Sequence, residues 1–186
     1  MKNIYLIHGW DGSSKLGWFQ WLKTELTRKG FHVEVFDMPN PEYPKIEEWV
    51  GYLKEHVKNI DENTYFVGHS IGCQAILRFL EDLPENTKVG GCVFVAGWLN
   101  LVGLNEEEKI QAKPWIETPI SSEKIKKHCN KFLAIFSTND PFVLLSEADL
   151  FKKSLNAKIL IKENRGHFES ITKMLDIPMF IERQNG

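Results

Sequence analysis

Three residues far apart in the chain have the types and settings for nucleophilic acyl chemistry: Ser70, Asp140 and His167. Ser70 sits in Gly68-His69-Ser70-Ile71-Gly72, a G-x-S-x-G pattern. Where such a pattern leaves a strand and opens a helix, it makes a sharp turn that holds the serine out at the strand end in a strained conformation. A hydroxyl is a weak nucleophile, so it needs a base beside it, and the base needs an acid to orient it. Asp140, in Asn139-Asp140-Pro141, and His167, in Gly166-His167-Phe168, follow Ser70 in the order serine, acid, histidine. Each lies just past an apolar run that reads as a strand. An Asp before Pro is also a common turn former, and a lone histidine often sits in a loop. The assignment therefore rests on all three meeting. The N–H of Ile71, at the start of the helix, can bind the negative charge that develops on an attacked carbonyl.

The elements that must position these groups alternate. Ile4–Ile7, Phe31–Phe36, Thr64–Val67, Cys92–Ala96, Phe132–Phe136 and Lys158–Ile161 read as six short strands. Leu16 to Lys29 reads as a helix, with Trp18, Phe19, Leu22 and Leu26 at helical spacing and Gly30 as a stop. Ile46, Trp49, Val50, Leu53 and Val57 make a second apolar stripe. Ala75, Ile76, Phe79 and Leu80 make a third, with Pro84 past its end. Ser146 to Asp149 starts another helix, and a final one is expected from near Phe168 to before Pro178. This alternation predicts an α/β three-layer α/β/α sandwich, a parallel sheet covered by helices on both faces. The segment Gly97 to Asn130 is the exception. Its capping signals at Asn105 and Ser121 fit a long two-helix crossover, or a small lid over the site.

Composition narrows the class. The chain has 186 residues, enough for a single domain spanning 1–186 with one sizeable core. Hydrophobic residues are 42% and charged residues 26%, a globular mixture rather than a disordered one. The charge balance of 23 bases to 25 acids gives no field for nucleic acid or an anionic membrane. The most apolar stretch, Val89 to Gly103, is too short and too glycine-rich to span a bilayer, and Ile4–Ile7 is too short for a signal-peptide core. Three cysteines, Cys73, Cys92 and Cys129, make neither a disulfide framework nor a zinc site. They read as reduced thiols in a cytoplasmic protein.

At His8-Gly9-Trp10-Asp11-Gly12-Ser13-Ser14, Asp37-Met38-Pro39-Asn40-Pro41, the serine turn, Asn139-Asp140-Pro141 and Gly166-His167-Phe168, the sequence resembles the α/β-hydrolase superfamily. More narrowly, it is similar to the small serine hydrolases of the retinoblastoma-binding protein 9 family. The resemblance covers nearly the whole chain, and the Asp-Met-Pro-Asn segment is its most specific part. It implies an α/β-hydrolase fold with about six parallel strands and no large cap domain. It also implies a Ser70–His167–Asp140 triad. It places the second oxyanion donor after the first strand, where Gly9 lets the backbone approach and the Trp10 N–H is the candidate. The Leu-x-Cys-x-Glu motif for which the animal member is named surrounds none of the cysteines, so retinoblastoma-protein binding is not expected.

The expected activity is hydrolysis of small carboxylic esters through an acyl-enzyme, with no cofactor or metal and a small-molecule substrate. Amidase, aminopeptidase-like or thioesterase activity could use the same triad, and a non-catalytic interaction protein could use the same scaffold. Trp98, Trp115, Phe142 and Phe168 are candidates for an apolar substrate pocket. His8 is expected to order its loop and His69 to point away from the substrate. The base works as neutral imidazole, so activity should rise with pH through the ordinary histidine range.

Overall fold

A computed structural model describes residues 1–15 and 17–183. The elements run β1 (Asn3–Ile7), α1 (Gly17–Arg28), β2 (His32–Phe36), α2 (Ile46–His56), β3 (Thr64–His69), α3 (Ile71–Glu81) and β4 (Gly91–Val95). They continue α4 (Glu106–Glu117), α5 (Ser122–His128), β5 (Phe132–Ser137), α6 (Ser146–Leu155), β6 (Lys158–Lys162) and α7 (Asp176–Glu182). Leu16, the expected first residue of the first helix, lies outside the described residues. The six strands form one parallel sheet in the order β2-β1-β3-β4-β5-β6.

Burial along the strands explains their composition. β3, β4 and β5 are buried at every residue, because helices cover both faces; hence their continuous apolar runs. The edge strands β2 and β6 are only partly buried, and β6 begins and ends on lysine, which discourages pairing with another chain. α1 packs with α7 on one face; α2, α3, α5 and α6 pack in series on the other. That division follows from right-handed crossovers: the chain steps one way from β1 to β2, then reverses and steps the other way from β2 over β1 to β3 and onward. Loops leaving β1 and β3 therefore diverge, and a crevice opens between them at the carboxyl edge of the sheet. Among the described residues, no helix is long and apolar enough to cross a membrane.

The segment Gly97–Asn130 contains α4 and α5. The Asn105 side chain accepts from Glu108 N while the Glu108 carboxylate accepts from Asn105 N, a complete capping box. Ser121 caps α5. Arg78, buried on α3, donates to the Trp115 and Thr118 carbonyls at 2.8 and 2.9 Å. It thereby satisfies carbonyls at the end of α4 that have no partner within the helix.

The last helix departs from expectation. The chain from Phe168 to Leu175 is not helical, and α7 starts at Asp176 with Pro178 inside its first turn. Phe168 has φ 62, outside the right-handed helical region, so it is not itself part of a helix. A proline in a first helical turn loses no hydrogen bond, so Pro178 begins this helix rather than ending one.

Glycine packing gives a paired prediction. A Cβ on Gly72 would come within 2.5 Å of both the Ile7 and His8 carbonyl oxygens, whereas one on Gly51, within α2, meets nothing within 4 Å. Gly72→Ala should therefore destabilise the protein by about 1–3 kcal/mol. Gly51→Ala should stabilise it by about 0.5–1 kcal/mol, since alanine is the better helix former. Urea unfolding of the two variants beside wild type checks both signs.

Candidate active site

β3 ends at His69, and Ser70 turns the chain into α3 with φ 51 and ψ −122. The turn is tight because α3 starts against both the sheet and its own strand. A Cβ on Gly68 would lie 2.8 Å from Cys73 N and from Ile76 Cδ1. Ser70 N donates to Val95 O at 2.9 Å, tying the turn to β4. The Trp98 indole N–H points at Ser70 Oγ from 3.4 Å. Trp98 is itself placed by Gln74, whose side-chain N–H donates to the Trp98 carbonyl at 2.9 Å.

Asp140 and His167 come together from the loops after β5 and β6. His167 Nδ1 lies 2.8 Å from Asp140 Oδ2. Asp140 Oδ1 accepts the Phe142 and Val143 N–H groups at 2.9 and 3.1 Å, so both oxygens of this buried carboxylate are held. A neutral imidazole that donates through Nδ1 keeps Nε2 as an acceptor. The two loops are laced together. Asn139 Oδ1 accepts from Ser137 Oγ and from Gly166 N, while Ser137 Oγ accepts from Arg165 N.

Beneath His167 lies His69, buried, with Nε2 2.7 Å from the His167 carbonyl. A carbonyl only accepts, so Nε2 carries the proton. Burial, reinforced by His167 nearby, pushes the His69 pKa down to about 3. His69 does not point away from the site as expected; it borders the cavity and supports the backbone of His167.

The loop after β1 is held by the loop after β2. Met38 N donates to His8 Nε2 at 2.9 Å, which leaves His8 Nδ1 to donate to Gly9 O at 2.7 Å. Burial lowers the His8 pKa, so the ring stays neutral in this role. Asp37 accepts both Ser14 N and Ser14 Oγ, at 2.6 and 2.9 Å, and these bonds hold its carboxyl below the usual range. Asp11 N donates to Pro41 O, and the Trp10 indole N–H donates to Glu42 O. The Asp-Met-Pro-Asn segment thus fixes the path of Gly9 and Trp10. Neither the backbone N–H of Trp10 nor that of Ile71 has a protein acceptor among the described residues.

These parts surround one cavity of about 450 Å³. Ser70, His167, His69, Trp10 and Phe142 line it, and Leu101 to Gln111 supply one wall, including the start of α4. Phe142 packs edge-on against the His167 ring, with centroids 5.3 Å apart. The other aromatic candidates fall elsewhere. Trp98 is fully buried in the core and does not line the cavity, although its indole N–H points at Ser70 Oγ. Trp115 is core: its indole N–H donates to Pro44 O, and its ring packs on Trp49 and Arg78. Phe168 is fully buried and does not line the cavity. Apolar rings near strand ends were ambiguous because core and pocket draw on the same residues. The contributions of Asn139 and Ser137 had no sequence signal, because both act only across loops distant in the chain. All three cysteines are free and buried, and burial raises the Cys73 thiol pKa. Among the described residues, no cluster of His, Cys, Asp or Glu could hold a metal ion.

The neutral His69 makes stability acid-sensitive. Below the ordinary histidine value the unfolded chain takes up a proton that folded His69 refuses, so stability falls as pH drops from about 6.5 toward 3. The slope from this one group is about 1.4 kcal/mol per pH unit. Urea unfolding between pH 7 and pH 4 should show a shallower slope for His69→Gln, which keeps a donor for the His167 carbonyl but does not titrate.

Comparison with known proteins agrees with this architecture. The model of the family described as serine hydrolase matches residues 4–179. YdeN of Bacillus subtilis (strain 168) is 32% identical over 167 residues, covering 90% of this chain and 86% of YdeN. The crystal structure of the B. subtilis ydeN gene product superposes with a TM-score of 0.90, at 30% identity over 99% of this chain and 98% of that one. Serine hydrolase RBBP9 of Rattus norvegicus is 28% identical over 155 residues, covering 83% of this chain and 79% of the relative. With a six-stranded parallel sheet, a serine at the strand-to-helix turn and a family match spanning nearly the whole chain, the protein is an enzyme of the serine hydrolase family, with the α/β-hydrolase fold.

Proposed function

We propose that the enzyme hydrolyses small carboxylic esters through a Ser70–His167–Asp140 triad and an acyl-enzyme. The observation that carries the reading is the 2.8 Å His167–Asp140 hydrogen bond at the cavity that Ser70 also lines. It sets the tautomer in which Nε2 can take a proton.

His167 Nε2 takes the Ser70 proton as Oγ attacks the carbonyl carbon. The carbonyl oxygen gathers negative charge and is met by the Trp10 and Ile71 N–H groups, which need no other partner to be given up. The intermediate collapses as His167 passes its proton to the departing alcohol, leaving an acyl-serine. Water, deprotonated by the same nitrogen, attacks the acyl-serine, and the carboxylic acid is released with Ser70 restored. Asp140 stabilises the imidazolium at each stage and stays ionised. Every proton is accounted for within these residues.

A cavity of about 450 Å³ suits a small substrate rather than a folded chain. A small ester is favoured because its alcohol leaves more readily than an amine, so this simple constellation suffices. Three free, buried cysteines fit a cytoplasmic setting.

Labelling with a fluorophosphonate probe tests the nucleophile. Wild type should label, and Ser70→Ala and His167→Ala, matched for folding by circular dichroism, should not. With p-nitrophenyl esters, Asp140→Asn should lower kcat by about 10³–10⁴-fold while the serine remains in place. Unlabelled, well-folded wild type would refute the assembled triad.

A further inference from the structure

We infer that the enzyme selects esters carrying a positive charge, an ammonium or quaternary ammonium group a few bonds from the scissile carbonyl. The inference rests on the esterase reading above and names the substrate class for the same cavity. Five carboxylic acids line that cavity: Asp11, Glu42, Glu107, Glu108 and Glu169. Among the described residues, no lysine or arginine lines it. The whole chain carries 25 acids and 23 bases, so a patch of five acids and no base departs from the average surface.

The charges are also unspent. Some acids elsewhere are paired, as Glu48 is with Lys45 and Glu106 with Lys109. Among the described residues, none of the five cavity acids makes an ion pair. Only Glu108 has a side-chain hydrogen bond, to Asn105 N in the capping box, and that bond leaves its charge in place. Five like charges around one opening repel one another, and an entering cation relieves that repulsion. The acids come from four separate segments: the loop after β1, the loop after β2, the start of α4 and the loop after β6. The accumulation is therefore not one acidic helix turn.

A second feature of the cavity is independent of charge. Three aromatic residues, Trp10, Tyr43 and Phe142, line the same space. Ring faces attract cations, and aromatic walls with carboxylates at the rim suit a quaternary ammonium group. Gln111, at the same wall, adds a neutral polar side chain to the lining. The same rim would repel a free carboxylate, so the acid released by hydrolysis is pushed out while anionic esters are turned away.

Matched substrates test this. On the acyl side, p-nitrophenyl 4-(trimethylammonio)butyrate is compared with its neutral carbon isostere, p-nitrophenyl 5,5-dimethylhexanoate, and with the anionic mono-p-nitrophenyl glutarate. On the alcohol side, butyrylcholine is compared with 3,3-dimethylbutyl butyrate. In at least one pair the cation should lead in kcat/KM by on the order of tenfold, several screened contacts each contributing a few-fold. The anion should be slowest. The advantage should shrink at about 1 M salt, where the screening length falls to about 3 Å. It should also shrink in a variant combining Glu42→Gln, Glu107→Gln and Glu169→Gln. Hydrolysis of the neutral esters with no cationic advantage in either pair overturns the inference and leaves the esterase reading intact. No turnover of any ester, with Ser70 unlabelled by a fluorophosphonate, overturns both.

Discussion

The active-site region depends on one steric constraint, the entry of α3 between the end of β1 and its own strand β3. Backbone passes backbone so closely at Gly72 that only hydrogen fits there. The chain can make that turn only if Ser70 adopts φ 51, a conformation costly for any residue with a side chain. The cost, of order 1–3 kcal/mol, is offset by α3, whose residues from Ile71 to Leu80 are all buried. Its product is geometric: a hydroxyl held clear of the backbone and a helix N–H left without an acceptor beside it.

Around that turn, neutral imidazoles do the structural work that charges would do expensively. His8 and His69 are both buried, and burial holds both in the neutral form. Each then has one donor and one acceptor nitrogen, and the contacts fit those roles. His8 joins the first and second loops; His69 supports the backbone of the third candidate residue. A buried imidazolium in either place would cost several kcal/mol of desolvation. The charges sit instead on Asp140, buried but met by three donors, and on the acidic rim where water remains.

Most of the fold was legible because period and punctuation agreed. The stripe of Trp49, Val50 and Leu53 is the buried face of α2, and the six apolar runs are the six strands, with ends moved by one or two residues. α7 was misplaced because the rule that proline ends helices has an exception in the first turn, where Pro178 sits. Ser70, Asp140 and His167 could be named as candidates because each follows a strand on the edge where a parallel sheet gathers its loops. Trp115 and Phe168 were not separable from pocket residues by type, because only packing distinguishes a buried ring from one facing a cavity.

By itself the sequence determined the alternation of elements, the parallel sheet that alternation requires, and the order of Ser70, Asp140 and His167 along the chain. These are local properties, carried by hydrophobic period, by glycines at the serine turn and by residue type at strand ends. The tertiary structure alone decided how segments distant in sequence meet. It brought Asp140 and His167 to 2.8 Å, laced their loops through Asn139 and Ser137, and clamped Trp10 with the loop after β2. It also gathered five acids from four segments around one opening. Hydrogen bonds and Coulomb forces act over a few ångströms in space, and sequence separation carries no information about that distance until the sheet has set it.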